Sequence, residues 1–299
     1  MDRLSTLYAL VRVIDTGSFS AAARQLRIGQ PAVSKAIAQL ERRLGVPLLL
    51  RSSRKLTPTG AGRQFCEHAR RAIEEVEEAE HTARGTAAGL SGTLKFAAAV
   101  TFARLHVMPR LPAFLADHPA LRVEAILDDR PVDLIEQGVD VALRLGRLVD
   151  SSHVARRIGR CRHLVVGSPS YFEHAGKPAR PSDLSGHRGV VYGNAVAGAW
   201  RFTKGGREES VRLPEHVRST AMEGLREAVF AGLGLAIASE WAFQPDLGEG
   251  RIERVLADWN LPPLDVHAVF PSGRRASAKA QAFVRFVEDE LRSRGFGRP

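Results

Sequence analysis

A proline-free stretch from Gly60 to Gly89 places the strongest constraint on how this chain can fold. Small or apolar side chains recur within it in alternating steps of four and three residues: Phe65, Ala69, Ala72, Val76, Ala79 and Ala83. This spacing is that of a heptad seam on one long helix. Gly89, Ser91 and Gly92 then break the helix. We therefore expect an N-terminal domain over 1–59, a linker helix over 60–89 and a C-terminal domain over 92–299.

Two interpretations of this helix stay open from the residues alone. Alanine dominates the seam and permits close helix approach, although it buries little apolar area per residue. The same helix carries an acidic block of Glu74, Glu75, Glu77, Glu78 and Glu80. The helix could therefore be a solvated surface helix packed on its own chain, or an arm that pairs with a second copy.

Length and composition exclude several classes of protein. With 299 residues, 44% of them hydrophobic, the chain can bury a core and should divide into two or three domains. Its two cysteines, Cys66 and Cys161, are too few for a disulfide framework and lack the paired spacing of a zinc site. The first sixteen residues are too charged for a signal peptide, and the longest apolar run, Ala228 to Ala238, is too short to span a membrane. We expect a soluble, cytoplasmic protein without cofactor or metal.

The charge is concentrated near the N-terminus. The net charge is +10, and residues 1–65 hold eleven Lys or Arg against three acidic residues, whereas the remaining residues hold 32 against 30. A strongly basic N-terminal fifth indicates a domain that binds a polyanion such as nucleic acid.

Three helices are predicted before residue 45. The first follows the helical spacing of Leu4, Leu7, Leu10, Val11 and Ile14 and ends at Gly17. Ser18 can cap a second, short helix over SFSAAARQL. A third follows with Pro31 in its first turn and a buried stripe of Val33, Ile37, Leu40 and Leu44.

This arrangement favours a helix-turn-helix over 18–37, whose second helix enters the DNA major groove. The alternative is an ordinary helical bundle with a solvated face. Beyond Gly45, the apolar run Val46 to Leu50 and the sequence RSSRKLT predict a two-stranded wing. Basic side chains there could reach phosphates and position the protein without reading sequence. Helix, turn and wing together favour DNA binding over the plain bundle.

The stretches SFSAAARQL and QPAVSKAIAQLERRLGVPLLLRSSRKLTPTGAG resemble the winged helix-turn-helix of LysR-type transcriptional regulators, and the resemblance extends over the whole chain. It implies a DNA-binding set of Ser18, Gln30, Pro31, Ala32, Ser34, Lys35, Arg51, Arg54 and Lys55. Gly29 departs from members that carry Ser or Thr there, so the third helix lacks a side-chain cap, although glycine is acceptable at that position. In such proteins the linker helix joins a homodimer on promoter DNA, and dimers pair into a homotetramer. The sequence leaves dimer versus tetramer open.

Beyond Gly92, strands and helices alternate. The segments TLKFAAAV, a proline-kinked helix near Val107, RVEAILDD, PVDLIEQG and VDVALRLG form a first set, and HLVVGS to LAIAS form a second. Such alternation predicts a mostly parallel sheet covered by helices, hence an α/β fold. The resemblance implies a two-lobed α/β effector-binding domain, like periplasmic binding proteins, with lobe I over 92–162 and 268–299 and lobe II over 163–267.

A cleft between such lobes is where α/β sheets bind ligands. Strand-to-helix junctions at Thr101-Phe102 and Thr220-Ala221 would bring free N–H groups to it, which favours an anion. Thr220 and Glu223 also have the spacing of a capping box, so this hydroxyl could instead satisfy its own helix. The resemblance adds Arg144, Tyr192 and Asn194 to the effector set of Thr101, Phe102 and Thr220. The stretch SPSYFEHAGKPARPSDLSGHRGVVYG resembles a subgroup that responds to small aromatic or carbonyl compounds. Together with the N–H groups at the junctions, this predicts a small-molecule effector that is anionic or aromatic.

Two other function classes compete with a regulator. The sequence contains no nucleophile elbow, His-x-x-x-His pair, phosphate-binding glycine loop or dinucleotide fingerprint, so we expect no enzyme and no catalytic residues. A two-lobed solute-binding protein would share the layout of the C-terminal half. The basic N-terminal domain argues against it, and a gel shift would separate the two.

Overall fold

The computed structural model of the chain describes residues 1–51, 56–83, 89–146, 148, 154–193, 198–271 and 276–296. Within these residues the chain divides into two units, Met1–Gly89 and Leu90–Pro299. The first contains four helices and a two-stranded antiparallel sheet among its described residues: α1 (Arg3–Thr16), α2 (Phe19–Leu26), α3 (Gln30–Leu44), β1 (Leu49–Arg51), β2 (Leu56–Pro58) and α4 (Gly60–Ala83).

The core of the first unit is built from the predicted apolar stripes. Leu10 of α1, Ile37 and Leu40 of α3 and Leu48 before β1 are at most 2% exposed and belong to one apolar cluster. Ala22 and Ala23 bring α2 against this cluster, since their small side chains permit close packing. The apolar stripes predicted from the sequence are therefore the faces that this unit buries, with one correction: Leu44, predicted to be buried, is 38% exposed in the last turn of α3.

Local hydrogen bonds fix the turns between these elements. The Ser18 hydroxyl accepts from the Ala21 N–H at 3.3 Å and caps α2, as the sequence predicted. Arg27 closes α2 in the left-handed region, with φ of 56°. The Glu41 carboxylate accepts from the N–H groups of Leu48 and Leu49 at 2.7 and 3.0 Å, which ties β1 to α3.

Helix α4 begins against this wing. The Thr59 hydroxyl caps it by accepting from the Gly62 N–H at 2.8 Å, and it donates to the Pro47 carbonyl at 2.8 Å. A Cβ on Gly62 would lie 1.9 Å from the Leu48 carbonyl oxygen, so only glycine permits this close approach. The start of α4 is therefore fixed to the winged part of the same unit.

The second unit alternates strands with short helices. Its strands are β3 (Gly92–Ala98), β4 (Leu121–Leu127), β5 (Val141–Leu145), β6 (Val154–Cys161), β7 (His163–Gly167), β8 (Gly189–Tyr192), β9 (Trp200–Lys204), β10 (Arg207–Val211), β11 (Glu215–Ser219), β12 (Ala236–Ser239), β13 (Glu253–Val255) and β14 (Leu264–Phe270). Its α-helices are α5 (Val100–Phe102), α6 (Leu111–Asp117), α7 (Pro169–Ala175), α8 (Met222–Phe230), α9 (Glu240–Gly248) and α10 (Ala278–Ser293). Between α5 and α6 the chain continues through a π-helical turn (Ala103–Val107) and a 3-10 turn (Met108–Arg110).

One five-stranded sheet organises the first lobe. Its strand order is β4-β3-β5-β14-β6, with β3 parallel to β4 and β5, and β14 antiparallel to β5 and β6. Phe96 of β3, Phe283 of α10 and Phe114 of α6 pack in its core, and the rings of Phe96 and Phe283 lie 4.8 Å apart. We call residues 90–161 and 264–296 lobe I.

The strands of the second lobe divide among smaller sheets. β7 lies between β12 and β13 in an antiparallel sheet, β8 pairs in parallel with β11, and β9 forms a hairpin with β10. Two apolar clusters pack here, one around Val166, Leu225 and Phe243 and the other around Phe172 and Phe202. We call residues 163–261 lobe II.

The two-lobed α/β architecture is as predicted, with two corrections to its details. The sheets are mixed rather than mostly parallel, because β14 returns antiparallel between β5 and β6. The predicted boundary between 267 and 268 is wrong, since the whole of β14 from Leu264 is paired within the lobe I sheet. The chain crosses between lobes once near Arg162 and again just before Leu264.

Two further details differ from the sequence prediction. The segment PVDLIEQG, where the alternation of strands and helices placed a helix, forms only a turn: the Asp133 carboxylate accepts from the N–H groups of Ile135 and Glu136, both at 2.9 Å, and Gly138, with φ of 63°, ends the turn before β5. Strand β6 was not predicted. Its arginines obscure the alternation, and they are held at the sheet edge by ion pairs such as Arg160 with Asp265 at 2.6 Å.

Candidate DNA interface and effector cavity

The start of α3 presents the predicted recognition residues. Gln30, Pro31, Ala32 and Lys35 are exposed, whereas Ser34 is half-buried. Gly29 is the N-cap and supplies no side-chain cap, as expected from its lack of an oxygen. Gln30 accepts from the Ser20 hydroxyl at 2.9 Å, which links the two helices of the helix-turn-helix. The start of α3 therefore presents exposed polar side chains, while the opposite face of the helix is buried in the core of the unit.

The remaining predicted DNA contacts differ in what the structure describes. Ser18 is half-buried and its hydroxyl caps α2. The backbone of Arg51 ends β1, but its side chain lies outside the described residues, as do Arg54 and Lys55. The wing itself is present as the β1–β2 pair.

Helix α4 carries two different faces. Cys66, Ala69 and Ile73 are buried against α1, where Val11 belongs to the same cluster. Of the predicted seam, Ala69 is buried and Phe65 half-buried, whereas Ala72, Val76 and Ala79 are exposed. The Ala83 side chain lies outside the described residues. The seam is thus divided: its start packs on its own unit, and its middle is an exposed apolar strip.

A large cavity lies between the lobes of the second unit. Its volume is about 1090 Å³, sufficient for a drug-sized molecule. Most of its wall is apolar, from residues such as Leu134, Leu143, Val190 and Ile237. Polar residues line it from both lobes: Thr101, Asp128, Asp129, Asp133, Arg144, His163, Tyr192, Arg201 and Ser239.

Thr101 and Phe102 both line this cavity, as predicted, from α5. Both are buried, with exposures of 3% each. The Thr101 hydroxyl lies near the Glu223 carboxylate, yet it meets hydrogen-bond geometry with no described residue. The Phe102 ring packs edge-on against Trp241 with centroids 5.4 Å apart. Thr101 thus lies close to the Glu223 carboxylate, and Phe102 forms part of the cavity wall.

Two of the residues carried over from the resemblance also lie at the cavity. Arg144 is half-buried and donates through Nη2 to the Val132 carbonyl at 3.1 Å, and burial lowers the pKa of its guanidinium. Tyr192 is 40% exposed. Burial, together with the nearby carboxylates of Asp129 and Asp128, raises its pKa to about 12. Asn194 lies outside the described residues.

The prediction for Thr220 is wrong. Thr220 is exposed and does not line the cavity, and no capping box forms with Glu223. The N-cap of α8 is instead Ala221, one residue later. Glu223 pairs with Arg104 of lobe I, with Nε to Oε1 at 2.9 Å. The junction reaches the cavity through Met222 rather than through Thr220.

Sequence reasoning missed Asp129. Its carboxylate accepts from the Val100 N–H at 3.0 Å through Oδ1 and from the Met222 N–H at 2.9 Å through Oδ2. The available signal was its position two residues after β4, at the carboxyl end of a strand beside the cleft. One N–H group at each of the two helix starts expected to attract an anion therefore already has a carboxylate partner from the chain itself.

The contact between the lobes was also missed. Trp241, from α9 of lobe II, is 2% exposed and packs within the lobe I core beside Phe102 and Phe296. His106 Nε2 lies 2.9 Å from the Trp241 carbonyl, and Arg294 Nη1 lies 2.6 Å from His106 Nδ1. Burial, with the charges of Arg294 and Arg110, lowers the pKa of His106 to about 4. A neutral imidazole thus links the two lobes behind the cavity.

Two searches of the described residues bear on other classes of protein. No helix among them is both long and apolar enough to cross a membrane. In the same part of the chain, no group of three or more His, Cys, Asp or Glu side chains is placed to hold a metal ion.

Comparison with known proteins covers both units. Residues 4–63 match the bacterial regulatory helix-turn-helix of the lysR family, and residues 87–292 match the LysR substrate binding domain. A transcriptional regulator of Xanthomonas campestris is 34% identical over 96% of this chain and 85% of its own.

Solved structures of other regulators are similar as well. CrgA, a LysR-type transcriptional regulator from Neisseria meningitidis, is 29% identical with a TM-score of 0.62, over 96% of this chain and 98% of that one. AphB, a virulence activator of Vibrio cholerae, is 26% identical with a TM-score of 0.56 over the same shares. Since family models match the helix-turn-helix and most of the second unit, this chain belongs to the LysR family of bacterial transcriptional regulators.

Proposed function

We propose that this LysR-type regulator reads a promoter with the N-terminal part of α3 and is controlled by a small molecule in the cavity of its second unit. The observation that carries the DNA-binding part is that Gln30 and Lys35 are exposed, with Ser34 half-buried, at the start of a helix whose opposite face is buried in the core of the unit. Side chains at the start of a recognition helix reach base edges in the major groove. Lys35 and Ser34 read bases in this proposal, and Arg51, Arg54 and Lys55 neutralise phosphates.

The test compares two variants that each remove one positive charge from α3, Lys35→Ala and Arg43→Ala. Lys35→Ala should reduce the binding free-energy difference between promoter and random DNA by about 1–3 kcal/mol, since it removes a base contact. The ratio of the two affinities falls accordingly. Arg43→Ala, in the last turn of α3, should leave that ratio unchanged. Fluorescence anisotropy over a salt series measures both affinities, after genomic mapping has identified the promoter. Equal losses on both DNAs for Lys35→Ala would show that it binds phosphate only.

The domain organisation proposed is 1–59 for DNA binding, 60–89 for the linker helix and 92–299 for effector binding, with the boundary between lobes placed before Leu264. We also propose that α4 holds a homodimer, and that dimers pair into tetramers. Ala72, Val76 and Ala79 support this, because an exposed apolar strip on a long helix favours a partner. A two-fold promoter site requires two winged domains at fixed spacing.

Sedimentation can test the dimer. Val76→Glu should bury an unpaired charge at a cost of several kcal/mol and yield smaller species with weak promoter binding. Gln64→Glu adds the same charge at an exposed position of α4 outside the strip and should sediment like the wild type. An unchanged assembly in Val76→Glu would place the interface elsewhere.

We propose no catalytic activity. Burial raises the pKa of both thiols, that of Cys161 to about 12, which makes them poor nucleophiles. The cavity polar groups Asp129, Arg144 and His163 each bond to backbone atoms of the chain, and none is paired with a nucleophile. Since the protein acts on promoter DNA, the bacterial cytoplasm is the compartment that this function implies.

A further inference from the structure

Asp129 joins the two lobes through a single carboxylate. The acid lies in lobe I after β4, and its Oδ1 accepts from the Val100 N–H of the same lobe at 3.0 Å. Its Oδ2 accepts from the Met222 N–H of lobe II at 2.9 Å. Asp129 is half-buried and lines the cavity.

The Met222 bond supplies a cap that α8 lacks locally. Its N-cap residue is Ala221, which makes no side-chain cap, so the first N–H groups of α8 need a partner from elsewhere. A carboxylate is the favoured partner at the positive end of a helix. The Ser219 hydroxyl bonds to Ala221 rather than to Met222. Asp129 therefore caps a helix of the opposite lobe.

A second contact between the lobes lies beside this one. Arg104, four residues after Val100, donates to Glu223, the residue after Met222, through Nε and Nη2 at 2.9 and 3.1 Å. This bidentate pair holds the start of α8 against the π-helical turn of lobe I. The Asp129 carboxylate is thus kept in register with Met222.

Asp128, the neighbouring acid, behaves differently. It accepts from the Arg130 N–H at 2.8 Å and pairs with the Arg130 side chain at 3.6 Å, both within its own bend. The bonding of Asp129 across the cleft is therefore a property of that position rather than of an acidic segment in general.

Resting on the proposed function, we propose that Asp129 is a specificity-determining residue that occupies the anion position between the lobes from within the chain. It holds Val100 and Met222 together, and it excludes external carboxylates from that position. The effector of this regulator therefore fills other parts of the cavity.

The test is chemical rescue of Asp129→Ala in the full-length protein. Removing the carboxylate should lower the midpoint of the effector-unit thermal transition by roughly 3–8 °C. It should also speed hydrogen exchange at the Met222 amide by about tenfold or more, because that N–H loses its partner. Sodium formate or acetate at neutral pH, compared with sodium chloride at equal ionic strength, should reverse a substantial part of both changes. Wild type and Asp128→Ala should respond equally to carboxylate and chloride.

Three results would overturn the proposal. Unchanged Met222 exchange in Asp129→Ala would show that the carboxylate does not hold this amide. Equal effects of formate and chloride on the variant would show that the position does not select a carboxylate. A carboxylate-specific response of the wild type would show that Asp129 excludes nothing. Promoter binding by the wild type is measured separately, so a failure of the proposed function would appear there and not in the exchange data.

Discussion

The two units of this chain use their polar side chains in opposite ways. On α3 of the first unit, Gln30 and Lys35 project from a buried base into solvent. In the second unit, several polar groups around the cavity are bonded to the protein itself, as Asp129 is to Val100 and Met222. The difference indicates that DNA contacts can change with little cost to stability, whereas a change of polar residue at the cavity also changes how the lobes are held.

The largest expected effect on the second unit is the loss of stability on removal of the Trp241 side chain. The side chain is 2% exposed and passes from lobe II into the lobe I core, so Trp241→Ala should cost about 3–5 kcal/mol. Denaturant unfolding of the full chain should show an earlier transition for the second unit, with the first unit unaffected. Trp200, which is half-buried in lobe II, is the matched control, and Trp200→Ala should cost less. Equal costs would show that Trp241 does not anchor the lobes.

The next largest effect is expected on acidification, which should lower the stability of the second unit through His106. His106 has a pKa of about 4 in the folded protein, against an ordinary value of 6.5. Above pH 6.5 neither state holds the proton and the stability is fully present. Between pH 6.5 and 4 the unfolded chain takes up the proton first, so the free energy of unfolding falls as pH falls, by about 3 kcal/mol at most. Burial lowers the pKa of His163 too, which adds loss in the same direction.

The measurement is the thermal midpoint of the second unit between pH 7 and 5. His106→Gln keeps a donor and an acceptor for the Trp241 carbonyl and Arg294, so the midpoint should depend less on pH in this variant. His216→Gln, at an exposed position, should keep the wild-type dependence. Identical slopes in all three proteins would mean that His106 does not govern the response.

The difference between the units also explains what sequence reasoning could reach. The caps and turns of the first unit depend on neighbours close in sequence, so the roles of Ser18 and Pro31 and the missing cap at Gly29 could be predicted. The Asp129 partners lie 29 and 93 residues away, and no local pattern indicates them. The capping role considered for Thr220 failed because the helix starts one residue later, with Ala221 as its N-cap, and Thr220 is exposed.

Arg144 offers the sharpest test, because it resembles Lys35 in being a cationic side chain that is proposed to contact a ligand rather than to hold the fold together. Among the described residues its guanidinium bonds only to the Val132 carbonyl, and no carboxylate lies within ion-pair distance. Arg144→Met should therefore change stability by no more than about 1 kcal/mol, since it removes one hydrogen bond and keeps an apolar stem. It should abolish the promoter response to effector in a reporter strain while promoter affinity stays near wild type, because an effector shifts the equilibrium only by its difference in affinity for two states.

Arg201 also lines the cavity but pairs with Glu208 at 3.2 Å, so Arg201→Met is the control that should keep the response. A retained response in Arg144→Met, or a loss of several kcal/mol in its stability, would place Arg144 among the structural groups of the second unit.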